Sequence, residues 1–251
     1  MHSLKGRKAL VTGGSRGVGA ATALLLAQWG ADVAIGYRSR KEAADDVVRQ
    51  LKLHGVKASA HAADISSASG AAQLFDAAMY SLGKLDFFVG NAGIWPEEEV
   101  PVSAMSDERW HHTMRQNLDS VFFTSRVAAR HLQTDGRIVL VSSTAGQRGE
   151  SYHADYAASK GAVISLVKSL ALEVAGNGIT VNCVAPGWID TEMVDSVREN
   201  GSLEAIAKNI PLRRVATARD IAGPIVFLCS GLARHITGEI LNVNGGSVLC
   251  G

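Results

Sequence analysis

The 251-residue chain has only three cysteines, Cys183, Cys229 and Cys250. An odd count at spacings that match no metal motif gives no basis for a disulfide framework or a structural zinc site. It points to reduced thiols in a cytosolic protein with no bound metal. Long apolar runs are also missing, and none approaches the ~20 residues that a membrane-spanning helix requires. The opening stretch Met1-His2-Ser3-Leu4-Lys5-Gly6-Arg7-Lys8 lacks the hydrophobic region of a secretion signal. Neither sign of charge dominates, with 25 Lys and Arg against 24 Asp and Glu and a formal net charge of +1. That balance gives no electrostatic reason to expect nucleic acid or an anionic membrane as a partner. The single run of three like charges, Glu97-Glu98-Glu99, reads as a solvated loop. Repeats and low-complexity linkers are absent.

What the chain does contain is ordinary for a globular protein, with 47% hydrophobic and 20% charged residues. Its length suits a single α/β domain with a large core. Short apolar runs alternate with helical patterns throughout. Ala9-Leu10-Val11 leads through Thr12-Gly13-Gly14-Ser15-Arg16-Gly17-Val18-Gly19 into an alanine- and leucine-rich helix ending at Trp29-Gly30. Asp32–Gly36 reads as a second strand, 41–54 as a helix, 56–62 as a strand and 67–82 as a helix. Leu85–Val89 is a strand, 106–133 one long helical stretch, and 137–142 the next strand. A central helix covers about 156–175, a strand follows at 179–184, and a helix at 220–229 precedes a last strand at 238–243. This order predicts a Rossmann-type, doubly wound parallel sheet with right-handed crossovers, flanked by helices. The stretch 188–215 is too long for an idle connection and reads as a substrate loop.

Strand, glycine-rich turn and helix in that order aim backbone N–H groups at a phosphate. The spacing of Gly13, Gly17 and Gly19 is a variant of the dinucleotide fingerprint, although a tight strand-to-helix connection would need similar residues. At the end of the second strand stand Tyr37-Arg38-Ser39, where an acidic residue would bind an unphosphorylated ribose. Arg38, with Arg16 from the glycine turn, suits a 2′-phosphate. A solvated arginine pair at a helix start is the plainer alternative. Asp64-Ile65 could border an adenine ring, or Asp64 could cap a helix. Small residues at Asn91-Ala92-Gly93 would let a cofactor lie against the backbone.

Tyr156 and Lys160 are four residues apart, so on a helix they share a face. A lysine held beside a tyrosine favours the phenolate and lowers the phenol pKa from its ordinary value of about 10. The pair then makes a general acid/base for an alcohol oxygen. Ser143 follows the strand at 137–142 and lies where an open α/β sheet places its chemistry. A Tyr-x-x-x-Lys pattern taken alone is common. Asn117, in mid-helix, reads first as a local hydrogen-bonding residue.

Taken together, Thr12-Gly13-x-x-x-Gly17-x-Gly19, Asp64, Asn91-Ala92-Gly93, Asn117, Ser143, Tyr156-x-x-x-Lys160 and Pro186-Gly187 resemble the short-chain dehydrogenase/reductase family over essentially the whole chain. The segments 186–193, 219–222 and 236–246 look most like its 3-oxoacyl-(acyl-carrier-protein) reductases, and they are shared with sugar and polyol dehydrogenases. The resemblance implies Tyr156 as acid/base, Lys160 lowering its pKa and binding the nicotinamide ribose, and Ser143 polarising the substrate oxygen. It also implies that Asn117 distorts its helix to hold a water. The implied cofactor is NADP(H), with NAD(H) as the lesser alternative, held also by Ser15, Val18, Ile189 and Thr191. The implied assembly is a homotetramer. Many carrier-protein reductases have an arginine just before the glycine that ends the central helix; here the segment is Ala175-Gly176-Asn177-Gly178.

The expected chemistry is interconversion of a ketone and a secondary alcohol, with a 3-oxoacyl thioester the favoured substrate and a sugar or polyol the second choice. A non-catalytic cofactor-binding regulator would have no need of the acid/base set. Trp95 and Trp188 follow strand ends at the carboxyl edge and read either as walls of an apolar substrate pocket or as packing residues. Val127, Ala128, Val163 and Leu166 add apolar surface beyond what one sheet face would cover, which fits the implied oligomer.

Overall fold

The computed structural model describes residues 3–194 and 203–250. Seven strands form one parallel sheet in the order β3-β2-β1-β4-β5-β6-β9. They are β1 (Lys8–Thr12), β2 (Asp32–Tyr37), β3 (Ala58–Ala62), β4 (Phe87–Gly90), β5 (Arg137–Val141), β6 (Thr180–Pro186) and β9 (Ile240–Val243). The order reverses at β1 and β4, which lie side by side although β2 and β3 come between them in the chain. At such a switch point the crossover connections leave in opposite directions and open a crevice at the carboxyl ends of the strands. Strands covered on both faces need unbroken apolar runs, and all five residues of β5 are buried.

One sheet face carries α1 (Gly17–Gln28), α2 (Lys41–Lys52) and the helix Ala218–Cys229. The other carries α3 (Ala68–Leu82), α5 (Ser120–His131) and α7 (Ala154–Val174). The buried residues of α7 include Tyr156, Lys160, Val163, Val167, Leu170 and Val174. Their steps of three and four make one helical stripe. Tyr156 and Lys160 therefore form the amino-terminal end of the stripe that packs α7 onto the sheet.

Two expectations change in detail. The stretch 106–133 is not one α-helix: α4 (Asp107–Met114) passes into a π-turn at Arg115–Asp119 before α5 begins. Asn117 sits at the centre of that π-turn, in keeping with the helix distortion that the resemblance implies. Capping of α3 falls to Ser67, whose hydroxyl accepts from the Gly70 N–H, and not to Asp64. Asp64 instead accepts from the N–H and hydroxyl of Ser66.

A third expectation fails. Val127, Ala128 and Val163 are buried in this chain's own core and offer no surface to a partner, while Leu166 packs against that core and stays partly exposed. Apolar exposure on these helices comes instead from Phe122 and Leu172. The 188–215 stretch contains the two-residue strand β7 (Ile189–Asp190), which pairs with β8 (Ala216–Thr217) just beyond it, and the short helix Leu203–Asn209. Of the substrate loop expected at 188–215, positions 195–202 lie outside the described residues.

Candidate active site

The carboxyl ends of β1 and β4 are tied together by Thr12. Its hydroxyl accepts the N–H groups of Asn91 (3.0 Å) and Ala92 (3.1 Å). The Asn91 amide in turn donates to the Thr12 carbonyl oxygen at 3.1 Å. Gly13 has φ +64°, and Gly19 packs so closely beneath it that a Cβ there would run into the Gly13 carbonyl. Both positions therefore require glycine. The amino terminus of α1 has no side-chain cap and no acidic residue in its first turn. Its free N–H groups and positive dipole end are left open to an anion such as a pyrophosphate.

Above this turn lies a cleft of about 330 Å³. Of the residues singled out from the sequence, Ser15, Arg16, Val18, Tyr37, Arg38, Ser39, Ile65, Trp95, Pro186, Gly187, Trp188, Ile189 and Thr191 all border it. So do Gly13, Gly17, Asp64, Asn91, Ala92, Gly93, Ser143, Tyr156 and Lys160. Gly19 lies one turn inside α1, and Asn117 is buried behind the cleft wall. The Asn117 side chain clamps the strand-end loop. Its Oδ1 accepts from the Ile94 N–H (2.8 Å), and its Nδ2 donates to the Ile94 carbonyl (3.0 Å). The same loop approaches Lys160 so nearly that a Cβ on Gly93 would lie 3.3 Å from Nζ.

At the end of the cleft beside the glycine turn, Arg38 donates to the Gln116 amide oxygen at 2.7 Å. Arg16, the second cation expected to meet a 2′-phosphate, is bound to Glu192 Oε2 at 3.0 Å. Arg40 shares that carboxylate at 2.7 Å. Hydrogen bonds from Ser66, aided by the charges of Arg38 and Arg115, hold Asp64 below the usual carboxylate range.

At the other end, Lys160 Nζ donates to the Val141 carbonyl at 3.0 Å and lies 5.8 Å from the Tyr156 ring centroid. Burial lowers the Lys160 pKa to about 8. Burial also pushes the Tyr156 phenol up to about 12, against a hydrogen bond from Ser143 that pulls it down. The phenol expected to be depressed by the Tyr-x-x-x-Lys spacing is instead raised. Desolvation of the phenolate, with the Glu150 carboxylate adding to it, outweighs the Ser143 hydrogen bond. Beyond Tyr156, Trp95 presents an edge to the phenol ring (centroids 4.7 Å) and to Trp188 (6.2 Å), and stacks on His153 (4.1 Å).

Sequence reasoning missed Arg40, Gln116, Glu150 and Glu192 as cleft residues. Arg40, Gln116 and Glu192 directly adjoin the recognised Ser39, Asn117 and Thr191, whereas Glu150 comes from a segment with no local signature.

A glycine-rich turn at the switch point, joined by one cleft to a buried tyrosine–lysine pair, is the arrangement of an NAD(P)-dependent oxidoreductase. A family model described as enoyl-(acyl carrier protein) reductase matches residues 13–247. The 3-oxoacyl-(acyl-carrier-protein) reductase of Synechocystis is 38% identical over 99% of this chain and 100% of its own. A Brucella melitensis short-chain dehydrogenase/reductase of the glucose/ribitol dehydrogenase type superposes with a TM-score of 0.92 at 34% identity, covering 99% of both chains. A blue fluorescent protein from a metagenomic library, solved with NADPH, gives 0.91 at 35% identity over 98% of this chain and all of its own. The chain belongs to the short-chain dehydrogenase/reductase family and is an NAD(P)-dependent enzyme acting on CH–OH and C=O groups.

Burial of the Lys160 ammonium makes a pH prediction. Its folded pKa of about 8 lies below the ordinary 10.5. The folded state therefore carries the full desolvation penalty below pH 8 and sheds it by about pH 10.5. A gap of about 2.5 pH units (10.5 against 8) corresponds to at most about 3 kcal/mol. The unfolding free energy of the wild type, relative to Lys160→Met, should rise between pH 8 and 10.5 in denaturant titrations. A difference that stays flat across that window would place the ammonium in a solvated environment.

Proposed function

We propose that the enzyme reduces a 3-oxoacyl thioester to the secondary alcohol with NADPH. The supporting observation is the convergence of Ser143, Tyr156 and Lys160 on the cleft that begins at the glycine turn. When bound, the cofactor supplies hydride to the carbonyl carbon. Negative charge then builds on the carbonyl oxygen, and Ser143 Oγ and Tyr156 Oη are the donors that meet it. Tyr156 gives up its proton to that oxygen. A phenol kept protonated by burial suits the reductive direction, and Lys160 favours the phenolate left behind. The π-turn around Asn117 and the Asn117–Ile94 clamp hold the loop against which the nicotinamide would rest. Asp64 and Ile65 would border the adenine, and Arg16 and Arg38 would meet the 2′-phosphate, with Tyr37 and Ser39 beside them.

Trp95 and Trp188 make the substrate end apolar, which fits an acyl chain or an aromatic ketone better than a polyol. Guanidinium–phosphate pairing is worth about 1.5–3 kcal/mol, so kcat/KM with NADPH should exceed that with NADH by on the order of tenfold. An acetoacetyl thioester and a bulky aromatic ketone should be turned over faster than glucose or ribitol. Faster polyol oxidation with NAD would overturn the reading.

We further propose a cytoplasmic homotetramer, in which the exposed Phe122 and Leu172 are covered by neighbouring subunits. Light scattering at micromolar concentration should give four times the 26.4 kDa chain mass; a monomeric mass would refute it.

A further inference from the structure

Glu192 holds an unusual place in the cleft. Its Oε2 accepts from Arg16 Nη1 (3.0 Å) and from Arg40 Nη1 (2.7 Å). The two guanidiniums keep its carboxyl below the usual range, so it stays ionised throughout the neutral region. Arg16 belongs to the glycine turn, Arg40 to the start of α2, and Glu192 to the segment just beyond β7. The adjoining Thr191 lies over the same turn, since a Cβ on Gly17 would be 3.6 Å from Thr191 Cγ2. Residues 191–192 therefore cross the phosphate end of the cleft and are tied down there by charge. The residue that ties them is an oxyanion carrying its charge between two forked donors, as a phosphate would.

We propose that Glu192 is an internal competitor for the 2′-phosphate of NADPH. It occupies Arg16 and Arg40, narrows the enzyme's discrimination between NADPH and NADH, and leaves the arginines when the phosphate arrives, releasing the 191–192 crossing. The inference rests on the reading of Arg16 as a phosphate ligand. Because the ion pairs are half-exposed they are weak, and a dianionic phosphate can displace them. Among the described residues Arg38 hydrogen-bonds to the neutral Gln116 amide and to no carboxylate, so it remains ready to receive the phosphate first. An unphosphorylated ribose has nothing to offer Arg16 and Arg40, and Glu192 then stays in place.

The test is calorimetric binding of adenosine 2′,5′-bisphosphate and adenosine 5′-monophosphate to the wild type and to Glu192→Gln, which keeps the size of an exposed side chain and removes its charge. The bisphosphate should bind Glu192→Gln about three- to tenfold more tightly than it binds the wild type, with the monophosphate changed less than twofold. NADPH and NADH, followed by nicotinamide fluorescence, should divide in the same way. A gain shared equally by both nucleotides, no gain, or weaker bisphosphate binding would each overturn the inference; the last would mean that Glu192 merely positions the arginines. A wild type that prefers the bisphosphate while Glu192→Gln is unchanged overturns this inference and leaves the proposed NADPH preference standing. A wild type without preference that gains one in Glu192→Gln supports the inference while the proposed preference fails.

Discussion

Helix α7 can bury its apolar stripe on the sheet only by burying Tyr156 and Lys160 as well. Val163, Val167, Leu170 and Val174 continue the face on which the two polar residues lie. The hydrophobic term from such side chains is about 1.5–3 kcal/mol each, enough to hold an ammonium out of water with no carboxylate among the described residues hydrogen-bonded to it. The Val141 carbonyl is its hydrogen-bond acceptor at the end of β5. The same desolvation that lowers the Lys160 pKa raises that of Tyr156. Packing and site electrostatics are therefore one constraint here, imposed by a single helix.

The opposite wall of the cleft depends on β1 and β4 being neighbours. Thr12, at the end of β1, binds the two N–H groups that follow β4, and Asn91 returns a bond to the Thr12 carbonyl. Asn117 then fixes the next residues through Ile94. Glycine turn, strand-end loop and π-turn form one hydrogen-bonded series that ends on the Ser159 hydroxyl of α7, next to Lys160. Groups held in this way do not need to reorganise when charge develops on a substrate oxygen.

Much of this was legible in the sequence because it is local. Alternating strands and helices predicted the doubly wound sheet, and Tyr156 and Lys160 needed only the helical repeat to share a face. Glycine spacing located the strand-to-helix turn that borders the cleft. What escaped depends on long-range packing. The Tyr-x-x-x-Lys pattern says nothing of how deeply the phenol is buried, so the direction of its pKa was misjudged. Val127, Ala128 and Val163 looked surplus because the thickness of the second core layer cannot be read from one helix. Glu192 meets Arg16 across 176 residues, and no local pattern announces such a pair. The Asn117 side chain, named for its helix distortion, is spent on Ile94, a partner that only the fold supplies.

The central claim is that the buried Tyr156 phenol is the proton donor to the substrate oxygen. The most direct measurement is single-turnover nicotinamide oxidation with saturating ketone, comparing the wild type with Tyr156→Phe, which keeps the ring and its contacts with Trp95 and deletes only the hydroxyl. The account predicts a rate lower by roughly 10²–10⁴, with the cofactor dissociation constant changed by less than about twofold. A Tyr156→Phe enzyme that transfers hydride at a near-normal rate would contradict it.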